Sequence, residues 1–291
     1  MHNALLLADL AQCKSPDTLV AAILKHNPEW QAPVDVEAFA RSVGISAFCD
    51  MDIDGFTSGH RAEGDGGKSV ILSAPRLPSQ RRRLAIAHQL GHWLMPSHQG
   101  ARQCTARDLS ENRRDTPRRK EEMQANRFAA ALLMPKPWFV AFLDSLGKPM
   151  VAHLPKIAAT YGVPLEVAAE RYVELACGLY AILLIKNDVI KFVMQGRSFP
   201  PLAIGRGDDA PPSPASASSV DSAKWLPIEG RDWLVQDRNV RMPKMTMQLF
   251  SKENGLQIVM LSVNAAAERR ADEEAEKSAT ESPKFGRRSS R

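Results

Sequence analysis

Apolar positions along this chain switch between helical and strand spacing, and the switches outline its elements. Residues 3–25 and 34–43 carry helical spacing, the second stretch placing Val34, Val36, Phe39 and Ala40 on one side after Pro33. Ile45 to Cys49, after Gly44, has strand character. Residues 56–63 and 69–73 flank Gly64-Asp65-Gly66-Gly67, which predicts a hairpin. Its second arm holds Val70-Ile71-Leu72, and as an edge strand it would be placed to pair with an extended peptide backbone. Leu84 to Met95 reads L-A-I-A-H-Q-L-G-H-W-L-M, a largely apolar run without proline that predicts a buried helix.

Residues 97–120 are polar and arginine-rich, interrupted by Gly100 and Pro117, and predict a long loop of the kind that is functional or mobile. Glu121 to Met134 predicts a helix closed by Pro135 and Pro137, and residues 154–177 predict two short helices around Gly162. From Leu179 the spacing becomes strand-like, at 179–185, 189–194, 245–250 and 257–263. Residues 207–223, rich in Pro, Ser, Ala and Asp, read as a linker. The charged C-terminal residues 266–291 have almost no large apolar side chains and predict a disordered tail.

Composition narrows the class. The 291 residues allow one large domain or two to three small ones, and 44% hydrophobic with 24% charged residues is ordinary for a soluble globular protein. The start, M-H-N-A-L-L-L-A-D-L, lacks a basic region and sets Asp9 within its apolar stretch, so no signal peptide is expected. No run approaches the ~20 apolar residues of a membrane span. Cys13, Cys49, Cys104 and Cys177 are scattered, which argues against a disulfide framework or a cysteine metal site. A cytoplasmic location without membrane attachment is the expectation. The net charge of +5 is concentrated in Arg81-Arg82-Arg83, Arg113-Arg114 and Arg118-Arg119-Lys120. Such runs suit an acidic or nucleic-acid partner, but more commonly they are solvated faces.

The candidate chemistry lies in the apolar helix, where only His88, Gln89 and His92 are polar. Two histidines four apart stack on one helix face, the ligand spacing of the zinc-peptidase motif H-E-x-x-H. Gln89 occupies the position of that motif's glutamate base. A catalytic zinc site needs a third protein ligand. His98, six residues after His92, has metzincin spacing, but Met95 and Pro96 stand where that arrangement has its turning glycine. The other candidate is Glu122, which shares a helix face with Asn126 and Ala129/Ala130, a face narrow enough to pack on Gly91. Asn126 is then placed to accept the N–H of a ligand histidine and fix its orientation.

Three stretches resemble the ImmA/IrrE family of bacterial metallo-endopeptidases: P-V-D-V-E-A-F-A-R-S-V-G-I (33–45), R-R-L-A-I-A-H-Q-L-G-H-W-L (82–94) and E-M-Q-A-N-R-F-A-A-A-L-L-M-P (122–135). The resemblance implies that His88, His92 and Glu122 are zinc ligands. It also implies an α+β, zincin-like domain that disables a helix-turn-helix transcriptional repressor, under stress or on mobile genetic elements. The expected organisation is a zincin-like domain over 1–150, a helix-turn-helix-like segment over 151–177, a small strand-rich α+β module over 178–265, and the tail. Ala158, Gly162 and Ala168 have helix-turn-helix spacing, but such pairs are common away from DNA, and direct DNA contact is not the expectation. Gln89 leaves two functional readings, an impaired peptidase acting on a protein partner or a zinc-binding pseudopeptidase that docks one.

Overall fold

Pro16 divides the first predicted helix. The computed structural model describes residues 4–50, 56–63, 68–98, 102–105, 117–211, 224–237, 241–252 and 254–263, and in it the stretch expected as one helix is two, α1 (Ala4–Ala11) and α2 (Pro16–His26). Ser15 caps α2 reciprocally with Thr18: Ser15 Oγ accepts the Thr18 amide at 3.3 Å, and Thr18 Oγ1 accepts the Ser15 amide at 3.2 Å. The next helix, α3 (Val36–Ser42), begins after Asp35, whose Oδ1 accepts the Ala38 amide at 2.9 Å.

The chain then forms β1 (Ile45–Asp50), β2 (Phe56–Glu63) and β3 (Lys68–Ser73). β2 and β3 are the predicted antiparallel hairpin, and the glycine-rich residues 64–67 between them lie outside the described residues. β1 joins β3 in parallel. After the buried helix α4 (Ser79–Leu94), β4 (Arg102–Thr105) pairs antiparallel with β2, giving the order β1-β3-β2-β4. This corrects the edge-strand expectation: β3 is interior, and β4 is the edge beside β2. The edge arises from the stretch expected as loop because β2 recruits it by backbone pairing, which needs no apolar alternation. Pro117 likewise opens α5 (Pro117–Leu133) rather than interrupting the chain, since a first-turn residue needs no amide donor. Residues 106–116, with Arg113-Arg114, lie outside the described residues.

Pro135 ends α5 and N-caps α6 (Lys136–Leu146), and α7 (His153–Tyr161) and α8 (Leu165–Leu175) follow around Gly162, which has φ +61°. The chain divides into two units, Met1–Gly147 with His153–Leu175, and Lys148–Ala152 with Ala176–Arg291. The segment expected to stand apart over 151–177 therefore has its helices in the first unit. The Tyr161 ring centroid lies 5.7 Å from those of both Phe139 (tilted) and Phe142 (edge-on), and buried Arg171 donates from Nε to the Met134 carbonyl at 3.1 Å. The Arg81–Arg83 run makes its contacts within this unit, with Arg81 exposed. Arg81 pairs with Glu166 at 2.6 Å, Arg82 reaches Asp50 and Ser73 at 3.2 and 3.0 Å, and Arg83 donates to the Val34 and Gly162 carbonyls at 2.8 and 3.1 Å.

The second unit is an antiparallel sheet of β5 (Leu179–Lys186), β6 (Val189–Gln195), β7 (Leu226–Ile228), β8 (Met245–Ser251) and β9 (Leu256–Val263), in the order β6-β5-β9-β8-β7. Asn187 and Asp188 both have positive φ, as a two-residue hairpin turn requires. Alternate residues such as Leu183, Met247 and Leu261 pack with Phe199, Trp233 and Leu234. Gln248 Oε1 accepts the Val151 amide at 2.8 Å, tying residues 148–152 to this sheet. Among the described residues the only helical element of this unit is the 3-10 turn Gly230–Asp232, so the helices expected of an α+β module are not found there. The predicted tail lies outside the described residues. Over the whole chain the fold class is α+β, and no single described helix is long and apolar enough to cross a membrane.

Candidate metal centre

Two helices build the site. On α4, His88, Gln89 and His92 are all essentially without solvent exposure. On α5, Glu122 is buried, one turn before Asn126. Gly91 allows the helices to meet: a Cβ there would stand 3.0 Å from Ala125 Cα and 3.2 Å from the Ala125 carbonyl oxygen and Phe128 Cδ1. The close approach expected at Ala129/Ala130 is thus made one turn earlier.

The approach brings three donor atoms together. His88 Nε2 and His92 Nε2 lie 3.1 Å apart, and each is 3.2 Å from Glu122 Oε2. Ligands about 2.0–2.1 Å from a tetrahedral zinc stand about 3.3 Å from one another, so the three atoms match one triangular face of such a site. Their chemistry agrees. His88 Nδ1 is 2.9 Å from Asn126 Oδ1, an acceptor, so the proton sits on Nδ1 and Nε2 presents a lone pair. His88 Nε2, His92 Nε2 and Glu122 Oε2 face one point and could hold a cation there. Burial above all pushes the His92 pKa down to about 4, against the opposing contact with Glu122, so a proton is a poor choice there at neutral pH. Burial by itself raises the Glu122 pKa, but the His88 and His92 rings outweigh it and hold the carboxyl well below its ordinary range. A metal ion fits the donor set. Among the described residues, His88, His92 and Glu122 form the one such group of three.

His98 is brought to the site but not to the metal face. Met95 to His98 form a turn closed by the His98 amide on the Met95 carbonyl at 3.0 Å, with Pro96 at its second position. The chain therefore returns without the glycine whose lack spoke against His98, and the ring arrives behind His92: Nδ1 to Nδ1 is 3.0 Å. His98 Nε2 is 2.9 Å from Gln124 Oε1. Gln124 was not legible from the sequence, because residues two apart on a helix do not share a face with Glu122.

Residues 42–172 match the model of the IrrE N-terminal-like domain. No curated protein matches the chain significantly. Among solved structures, a Mycobacterium tuberculosis transcriptional regulator superposes with a TM-score of 0.50 at 15% identity, covering 88% of this chain and 77% of that one. At that identity the likeness is one of fold.

Proposed function

The domain over residues 42–172 belongs to the IrrE N-terminal-like family, and on that premise we propose that the chain is a regulatory, zinc-binding metallopeptidase-like protein acting on a helix-turn-helix repressor. The observation that carries this reading is the convergence of His88 Nε2, His92 Nε2 and Glu122 Oε2 in a buried site. Three protein donors with a fourth position left for a reactant is the arrangement of catalytic rather than structural zinc. The fold likeness to a transcriptional regulator is in keeping with a regulatory role.

Zinc, when bound, supplies Lewis acidity toward a scissile carbonyl and acidifies water. His88 and His92 would hold it through Nε2, each with its Nδ1 directed to a fixed partner, Asn126 and His98. Glu122 contributes the negative charge. Gln89 stands where zinc peptidases carry the glutamate that takes and returns the proton. Its amide hydrogen-bonds but has no protonation step near neutral pH. General acid–base catalysis is worth about 10²–10⁴-fold, so the domain engages its partner and cleaves it slowly.

The test compares the protein with Gln89→Glu on a purified candidate repressor, with and without chelator. The expected result is equal binding and a turnover gain of ~10²-fold or more in the variant, abolished by chelation. Tight binding without cleavage by either protein would favour the docking pseudopeptidase. Equal chelator-sensitive turnover would assign the base to another residue.

A further inference from the structure

The hydrogen bonds behind His92 form a directional chain. Its two contacts are His92 Nδ1 to His98 Nδ1 at 3.0 Å and His98 Nε2 to Gln124 Oε1 at 2.9 Å. An amide oxygen only accepts, so His98 carries its proton on Nε2 and donates it to Gln124. His98 Nδ1 is then a bare acceptor, and the proton between the two rings must belong to His92 Nδ1. A neutral imidazole with its proton on Nδ1 has its lone pair on Nε2, the atom that faces His88 and Glu122. The direction of every bond is thus set from the Gln124 end.

We propose that His98 and Gln124 are positioning residues: Gln124 fixes the tautomer of His98, which fixes the tautomer and tilt of His92 and so presents Nε2 as a ready metal donor. The proposal rests on the metal-site reading above and assigns to His98 a role behind the ligand rather than on the metal. Its placement supports this. His98 is held by the Met95–His98 turn at the end of α4, and its ring centroid lies 4.9 Å from that of His92. His98 is itself buried, so water does not readily replace the acceptor it provides. His88 has the same service from Asn126, in one step instead of two. Both ligand rings are therefore oriented from α5, by Gln124 through His98 and by Asn126 directly, just after Glu122.

Two readouts test it, on the full chain. Imidazole ¹⁵N shifts in the metal-free protein report the His92 tautomer, and competition with a chromophoric chelator reports zinc affinity. The expected result is an Nδ1–H tautomer at His92 in the native protein. His98→Phe, which keeps a ring but no acceptor, should mix the His92 tautomers and weaken zinc binding about 10- to 100-fold while one ion per chain still binds at saturation. His98→Asn, whose amide oxygen can occupy the Nδ1 position, should restore most of the affinity. Gln124→Met, a change at a half-buried residue, should give a smaller loss in the same direction. An unchanged His92 tautomer and unchanged affinity in His98→Phe and Gln124→Met would overturn the proposal. If the native protein takes no zinc, the metal-site reading fails, and the tautomer readout still decides the relay by itself.

Discussion

Gly91 and Ala125 are in backbone contact: a Cβ on Gly91 would stand 3.0 Å from the Ala125 Cα. This contact sets the distance between α4 and α5, and hence between two histidines on one helix and a carboxylate on the other. Gly91→Ala gains about 1 kcal/mol of helix propensity and meets a backbone atom that cannot swing aside, an overpacking cost of about 1–3 kcal/mol. The expected outcome is a lower Tm and weaker metal binding together. A raised Tm with unchanged affinity would show that the helices have slack here.

Asn126 Oδ1 lies 2.9 Å from His88 Nδ1. Asn126→Leu, close in size without the acceptor, should lower metal affinity about 10- to 100-fold, and Asn126→Asp should retain most of it. Titration against a competing chelator measures both, and equal affinity in Asn126→Leu would remove Asn126 from the site.

The metal-free protein should lose stability in mild acid. The His92 pKa is lowered from 6.5 to about 4 in the folded state, so between those values the unfolded chain binds the extra proton. The contribution is complete above pH 6.5, shrinks as pH falls, and is lost by about pH 4, amounting to about 3 kcal/mol. Glu122, whose pKa is also lowered, adds a further loss below the ordinary carboxylate range. Urea unfolding of the metal-free protein and of His92→Gln across this range is the measurement. The variant's curve should be flatter between pH 6.5 and 4, and parallel curves would contradict the assignment.

Chelation should loosen one unit more than the other. A metal held only by the folded first unit stabilises that unit by mass action. Hydrogen exchange after chelation is expected to rise in α4 and α5 and to change little in the sheet of β5 to β9. Equal rises in both units would contradict their independence.

The centre of the fold was legible because its signals are local. The His88–His92 spacing, the apolar run around it and the Glu122–Asn126 turn each sit within one helix, and helical geometry alone places their side chains on a face. What the sequence obscured depends on partners far along the chain. β4 has no apolar alternation and exists by pairing with β2. The sequence shows the arginines at 81–83 as a charge run but not their partners, Glu166, Asp50 and the carbonyls of Val34 and Gly162. Pro16 and Pro117 were ambiguous for a different reason, since a proline that ends one helix is equally suited to begin another. His98 combined both difficulties: its spacing pointed to the metal, and only the Met95–His98 turn shows its ring meeting His92 from behind.

Zinc content and affinity across four variants test the central claim most directly. The protein should bind about one zinc ion per chain. His88→Ala, His92→Ala and Glu122→Gln should each lose it, whereas His98→Ala should still reach one ion at saturation with weakened affinity. Retention of zinc by Glu122→Gln together with its complete loss in His98→Ala would place His98 on the metal and contradict the account.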